Sequence, residues 1–518
     1  MDTDLLPLDR QLRQEILFAR ERVYRFGVST PLERFVIGDG RPGPEIWVKR
    51  EDLSVVKSYK WRGACNRIAS LSNEERTRGI VTASAGNHAQ GVALASRKLG
   101  IAARIYMPRS TPRVKQEAVR HLGGDFVEIC LVGDSYDEAV LAARADEKER
   151  GCAYIHAYDD LKVMAGQGTL ADEVILSGQG PFDVAFLQIG GGGMAAAVAS
   201  WLKVHWPEME VVGVEADGQA SMRAALEAGR PVSLREVDIF CDGTAVRKAG
   251  DLAFEICREV LARVELVSNA QVSEAIRILW EEHRCVAEPS GALGLAAVLK
   301  NRAMLVGKKV LLVISGANVD FLQLGLIAQS EAADREHTWT MRIEIPEKGG
   351  EMLSLLDACF QGLNIVDFQY GKFDEKLAAP IFSLSAENAE DLKKLPERLG
   401  AAGYIYEDVT GAIDVAHRAI PLRSDLLCCP AFVQLHFYER PAALRDFLNQ
   451  QVSGKADICY FNYRQSGERI GRALIGFDFA DEVERSVFLK NLPESGSGYR
   501  LCRVVDDATH RRLWKYLL

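Results

Sequence analysis

Residues 183–203 read DVAFLQIGGGGMAAAVASWLK. A short apolar run that ends abruptly at glycine reads as a β-strand buried on both faces. The alanine-rich stretch behind it reads as a helix. Between them stand Gly190, Gly191, Gly192 and Gly193, then Met194. Glycines let several backbone N–H groups crowd one point, and a helix N-terminus adds roughly half a positive charge there. A strand–glycine–helix junction of this kind is suited to phosphate. The loop also fits a dinucleotide fingerprint, Gly190-x-Gly192-x-x-Ala195, with Glu215 placed to hold a ribose. That fingerprint alone does not separate a dinucleotide from a phosphate monoester.

Working outward, the same pattern repeats. IVTAS (80–84), ARIYMP (103–108), DFVEICLV (125–132), EVVGVEA (210–216) and KKVLLVI (308–314) are further buried-strand runs. Helical stretches separate them: one after Gly86, one starting near Thr111 with Pro112 in its first turn, one from Asp134. Strand, helix, strand in repetition predicts an α/β fold with parallel sheets, and its length predicts two lobes with a cleft between them. Beyond the polar segment SEAADREHTW (330–339) the character changes. TWTMRIEIPEKGGEMLSLLDAC (338–359) and AFVQLHFYERPAALRDFLNQ (431–450) each run from strand through turn to amphipathic helix. The turns are Glu347-Lys348-Gly349-Gly350 and Glu439-Arg440-Pro441-Ala442, and Phe368-Gln369-Tyr370 and Phe461-Asn462-Tyr463 end the strands that follow. This predicts two duplicated α+β modules. The expected domains are residues 1–330, 331–425 and 426–518.

The 518 residues carry 63 basic and 72 acidic side chains, a net charge of −9, which argues against broad nucleic-acid binding. No apolar run approaches the roughly 18 residues of a membrane span, and MDTDLLPLDR lacks the basic start of a signal peptide, so a cytoplasmic protein is expected. The 11 cysteines are scattered without zinc-ligand spacing, and no metal is expected.

Three more segments bear on chemistry. In Ser58-Tyr59-Lys60-Trp61-Arg62-Gly63-Ala64, a lysine between two aromatics suggests a shielded amine. Burial lowers a lysine's pKa and frees its lone pair, as a Schiff-base nucleophile requires, although an isolated lysine is more often a surface residue. Ser84-Ala85-Gly86-Asn87-His88 joins a buried strand to a helix and suits a loop whose N–H groups hold a carboxylate; an ordinary capped turn reads the same way. His88 fits a structural histidine better than a proton-transfer group. Ser315-Gly316-Ala317-Asn318 follows VLLVI at the strand end where α/β proteins bind ligands.

In this order, the four segments resemble the fold-type II, tryptophan-synthase-β-like pyridoxal-phosphate enzymes, and within them the threonine dehydratases (threonine ammonia-lyases). KRED (49–52), SYKWRGA (58–64), SAGNHAQGVA (84–93), MAGQGTL (164–170), GGGGM (190–194), AEPSGALGLA (287–296) and SGAN (315–318) are similar to that family's blocks. The C-terminal units resemble the paired ACT-like modules of the biosynthetic, allosteric form. The resemblance implies pyridoxal 5'-phosphate as cofactor, bound covalently to Lys60. It implies a phosphate cradle of Gly190, Gly191, Gly192, Gly193 and Met194, a ring-oxygen contact from Asn87 and a ring-nitrogen contact from Ser315. Ser84, Gly86, Asn87 and His88 would line the substrate-carboxylate loop. The implied reaction eliminates water from L-threonine, giving 2-oxobutanoate and ammonia, with L-serine as a second substrate. Isoleucine, and valine, would act as effectors on a homotetramer, with Arg464 pairing an effector carboxylate. Three positions depart from the family: Tyr59 stands for Phe, Trp61 for Leu, and Gly371 for the Arg expected in the first module.

Overall fold

Apolar runs that must bury both faces can do so only inside a sheet covered by helices, and the parallel crossover connection supplies those helices. A computed structural model of the chain describes residues 6–321, 323–325, 327–328, 339–348, 351–369, 376–386, 389–410, 412, 427–438, 446–453, 455–465, 470–496 and 499–505. The chain forms two compact units, Met1–Leu324 and Gly325–Leu518. The expected boundaries at 330/331 and 425/426 both fall outside the described residues.

The strands of the first unit are, in chain order, β1 (Leu32–Phe35), β2 (Glu45–Arg50), β3 (Ile80–Ala83), β4 (Ala103–Met107), β5 (Val127–Leu131), β6 (Ala153–Tyr154), β7 (Val184–Gln188), β8 (Glu210–Ala216), β9 (Arg263–Val267) and β10 (Lys309–Ile314). They build two sheets, one of six strands in the order β1-β2-β10-β7-β8-β9 and one of four in the order β5-β4-β3-β6. All neighbours are parallel except β1 on β2. The α/β reading with two parallel sheets is therefore correct. β7 and β10 lie side by side, so the glycine loop and Ser315 leave adjacent strands at the same end. The helix Gly193–His205 buries Met194 to Leu202 without interruption, which is why its sequence is alanine-rich and not amphipathic.

Two helix starts differ from expectation. The helix expected from Thr111 spans Arg113–Gly123, because Pro112 adopts an extended ψ of 142° and stands just outside the first turn. The helix expected from Asp134 spans Tyr136–Arg150, since Ser135 and Glu138 close a reciprocal capping box that fixes the start.

The second unit has β11 (Trp339–Pro346), β12 (Asn364–Gln369), β13 (Leu377–Ala378), β14 (Ile381–Ser385), β15 (Ile405–Asp408), β16 (Ala431–Tyr438), β17 (Asp457–Gln465), β18 (Ile470–Asp478), β19 (Ser495–Gly496) and β20 (Tyr499–Val504). The two sheets repeat one plan: β12-β14-β11 with β15 on the far side of β11, and β17-β18-β16 with β20 on the far side of β16. Every pairing in both is antiparallel. Each sheet has its own apolar core, around Phe382 and Leu395 in one and around Phe437, Phe447 and Phe477 in the other. Gly349, Gly350, Tyr370, Gly371 and residues 439–442 lie outside the described residues, as does the side chain of Arg464. No helix among the described residues is long and apolar enough to cross a membrane.

Candidate active site

Lys60 opens the helix Lys60–Ala69, and its Nζ donates one long hydrogen bond, 3.3 Å, to the Gly243 carbonyl. Burial drives the Lys60 ammonium below its usual pKa; Glu288 and Asp242 oppose this without cancelling it. The result is a shielded amine that gives up its proton more readily than a surface lysine. Ser58 bridges to Gly316, and the Tyr59 N–H donates to the Ser315 carbonyl at 3.0 Å, so the lysine segment is stitched to the end of β10. Trp61, the departure after the lysine, is wholly buried in the core, where the absent side chain of Gly27 makes room for its ring. It points into the fold's interior packing, while Tyr59 stays close enough to Glu288 to feel its charge.

Beneath this segment lies a buried ionic core. Arg62 donates to both carboxylate oxygens of Glu51 and of Glu173, and Lys49 pairs with Glu173. Burial pushes the Glu173 carboxyl up, but Arg62 and Lys49 together leave it below the ordinary carboxylate value. None of these pairings was legible beforehand, though Lys49, Glu51 and Arg62 stand in quoted blocks.

The glycine loop follows β7 and caps the helix Gly193–His205 through Gly192, whose φ of +93° favours glycine. A Cβ on Gly191 would stand 2.1 Å from the Tyr158 ring. Close packing against Tyr158 thus favours glycine there, independently of any phosphate. The first-turn N–H groups of the helix have no intrahelical acceptor and are open to an anion.

Ser84 ends β3, and its Oγ accepts from the Gly86 and Ala89 N–H groups, both at 3.3 Å. A Cβ on Gly86 would meet nothing within 4 Å, so this loop borders open space. Asn87 is buried; its Nδ2 donates to Glu288 Oε1 at 2.7 Å, and its Oδ1 accepts from Asn318 Nδ2 at 2.6 Å. His88 is buried, with Nε2 at 3.1 Å from the Ile155 carbonyl, and burial lowers its pKa to about 3. It is neutral and tied to the backbone, as a structural histidine would be. Ser315 Oγ lies 3.5 Å from the Ser290 carbonyl, and Ser290 Oγ lies 3.1 Å from Thr244 Oγ1.

Gly243 and Thr244 therefore join the parts. Gly243 receives Lys60, and Thr244 packs on Gly190 and reaches Ser290 beside Ser315. No motif in the sequence marks this segment. Asp242, next to it, pairs with Lys115 from the other sheet's flanking helix. Glu288 and Asn318 lie within quoted blocks but had no assigned role. Glu215, the acid expected of a dinucleotide site, caps the helix Ser221–Ala228 by accepting from the Met222 and Arg223 N–H groups at 2.8 and 2.9 Å. Glu215 is also wholly buried, which removes the ribose contact from the dinucleotide reading. A shielded amine, an N–H-rich helix start and a neighbouring serine hydroxyl fit an aldehyde-bearing phosphate ester with a pyridine ring.

The known relatives agree with this chemistry. Residues 24–316 match the family described as "Pyridoxal-phosphate dependent enzyme", and residues 430–511 match "C-terminal regulatory domain of Threonine dehydratase". The L-threonine dehydratase biosynthetic IlvA of Haemophilus influenzae is 35% identical over 96% of this chain and 95% of its own. The Escherichia coli protein of that name is 35% identical over 89% of this chain and 90% of its own. The processed form of threonine deaminase isoform 2 from Solanum lycopersicum superposes with a TM-score of 0.58 at 38% identity, covering 62% of this chain and 93% of that one. With the family match spanning its larger unit and relatives aligned along nearly its full length, the chain belongs to the pyridoxal-phosphate-dependent enzymes, in the family of the biosynthetic threonine dehydratases.

Proposed function

We propose that this chain deaminates L-threonine to 2-oxobutanoate and ammonia by eliminating water, the committed step toward isoleucine, with pyridoxal 5'-phosphate as cofactor. The observation that carries the reading is full-length similarity to biosynthetic threonine dehydratases, and the Lys60 site supports it. When bound, the cofactor supplies an electron sink for charge developing at the substrate's Cα. The chain's own residues do the rest. Lys60 would hold the cofactor covalently, and its amine would be the base that takes the substrate's Cα proton. The N–H groups of Gly190 to Gly193 and Met194 would hold the phosphate. Asn87 would donate to the ring oxygen. The Ser315 hydroxyl would meet the ring nitrogen and, being neutral, would not hold it protonated, which favours prompt elimination over transamination. Ser84, Gly86 and Asn87 orient the substrate carboxylate, and neutral His88 stiffens that loop.

Residues 331–425 and 426–518 act as paired regulatory modules for isoleucine and valine, Arg464 contributing in the second, on a cytoplasmic homotetramer. L-Serine, one methyl smaller, is a secondary substrate, since one methyl discriminates by only about 1–3 kcal/mol. The test is ketoacid release from threonine and serine, with and without isoleucine, by the wild type and Lys60→Ala. The variant is expected to fold and to release none; ketoacid formation by Lys60→Ala at the wild-type rate would refute the assignment.

A further inference from the structure

The Asn87 amide is locked one way round by a chain of contacts that begins at the backbone. Asn318 Nδ2 donates to the Val56 carbonyl at 2.9 Å, and a carbonyl can only accept, so the nitrogen side of Asn318 is fixed. The same nitrogen donates to Asn87 Oδ1 at 2.6 Å, which fixes the oxygen side of Asn87 in turn. Asn87 Nδ2 is then left facing Glu288 Oε1 at 2.7 Å. An amide nitrogen carries two hydrogens. One is taken by Glu288, and the other is the side-chain donor left to meet a ligand.

We propose that Glu288 is a positioning residue: its carboxylate holds the Asn87 amide so that the second N–H of Asn87 donates to the ring oxygen of the cofactor. This rests on the reading of Asn87 as the ring-oxygen contact. Glu288 is 3% exposed and stands at the N-terminus of the helix Pro289–Lys300, where the helix dipole favours its anionic form. Its backbone N–H donates to the Gly316 carbonyl at 3.0 Å, which ties it to the loop carrying Ser315. The groups that bear on it electrostatically are Lys60 and Tyr59 from the lysine segment, Lys115 from the helix Arg113–Gly123, and Cys241 and Asp242 from the loop before Gly243. Burial, then Asp242, push the Glu288 carboxyl up, while Lys115, Lys60 and the Asn87 bond pull it back, leaving it at about 7. Above that pH Glu288 accepts from Asn87. Below it, a protonated carboxyl competes as a donor and the lock weakens.

The experiment follows release of pyridoxal phosphate from the holoenzyme by its visible absorbance between pH 6 and 9, for wild type, Glu288→Gln, Asn318→Ala and Asn87→Ala. Wild-type affinity should fall as pH drops through about 7. Glu288→Gln should weaken binding roughly tenfold above that pH and flatten the pH dependence. Asn318→Ala, which loosens the same amide from its other side without removing the acid, should weaken binding but keep the acid limb. A Glu288→Gln holoenzyme with wild-type affinity and an intact limb overturns the proposal. Should Glu288→Gln not fold, an Asn318→Ala enzyme with wild-type affinity overturns it equally. If Asn87→Ala itself binds cofactor normally, the underlying reading of Asn87 is what fails.

Discussion

Replacing Arg62 by methionine should damage this protein more than almost any other single change in its first unit. The guanidinium is fully buried and makes five hydrogen bonds, four to Glu51 and Glu173 and one to Thr169. Lys49 and Arg62 balance Glu51 and Glu173, so methionine leaves two buried carboxylates facing one ammonium. Removing one partner of such a pair costs about 3–5 kcal/mol, because an uncompensated charge remains. Against a total stability of about 5–15 kcal/mol this is large, and over a unit as long as Met1–Leu324 it corresponds to a drop in Tm of roughly 4–7 °C. The pH dependence identifies the cause. In the wild type, Glu173 is held below its usual pKa and so contributes stability above the unfolded carboxylate pKa that is lost as pH falls. In Arg62→Met, burial dominates and raises the Glu173 pKa, so its penalty should grow as pH rises. The deficit, measured by thermal and urea unfolding, should therefore be larger at pH 8 than at pH 5, and Glu173→Gln in the same chain should recover part of it. A deficit under 1 kcal/mol, or one that is flat with pH, would refute the argument.

Gly191→Ala should lower affinity for pyridoxal phosphate by tenfold or more, since its Cβ would stand 2.1 Å from the Tyr158 ring and the loop must shift; equilibrium dialysis of the cofactor checks it. Ser315→Asp should slow elimination relative to transamination, because a carboxylate beside the ring nitrogen holds it protonated; an unchanged product ratio with normal cofactor content counts against the Ser315 role. A chain ended after Leu324, at the boundary of the first compact unit, should lose sensitivity to isoleucine, and full retention of inhibition by a soluble truncated enzyme would contradict the regulatory reading of the second unit.

What could be read from the sequence was whatever is local. Buried strands such as Lys309–Ile314 announce themselves as unbroken apolar runs, and the lysine and glycine segments are continuous in the chain. β9 escaped because its charges alternate with apolar residues (Arg-Val-Glu-Leu-Val), and β1 because two of its four residues are charged (Leu-Glu-Arg-Phe); both are sheet edges. The partners of the site escaped for a different reason. Asn87 meets Glu288 across 201 residues and Asn318 across 231, and Lys115 meets Asp242 across 127. No local pattern encodes such meetings; they exist only once β3, β7 and β10 have taken their places in the two sheets. Tyr59 and Trp61 show the same limit. Flanking one lysine, they read alike in sequence, yet the fold sends Trp61 into the core and keeps Tyr59 beside the site.

The repeated strand plan of the second unit has a consequence for how the chain is made. Two sheets with one order and one set of antiparallel partners offer each strand a near-equivalent wrong berth during folding: β12 beside β18, or β16 beside β14. Such exchange is a characteristic failure of tandem modules. Pairing length opposes it. Among the described residues, β16 meets β18 over eight pairs, Ala431↔Phe477 to Tyr438↔Ile470, whereas β11 meets β14 over four. A β16 lodged on β14 would leave half its ladder unmade and Phe432 and Phe437 without their own sheet, so the unequal copies sort themselves during folding. Evening out the lengths of β14 and β18 would remove that sorting and should be read first in refolding yield, not in activity.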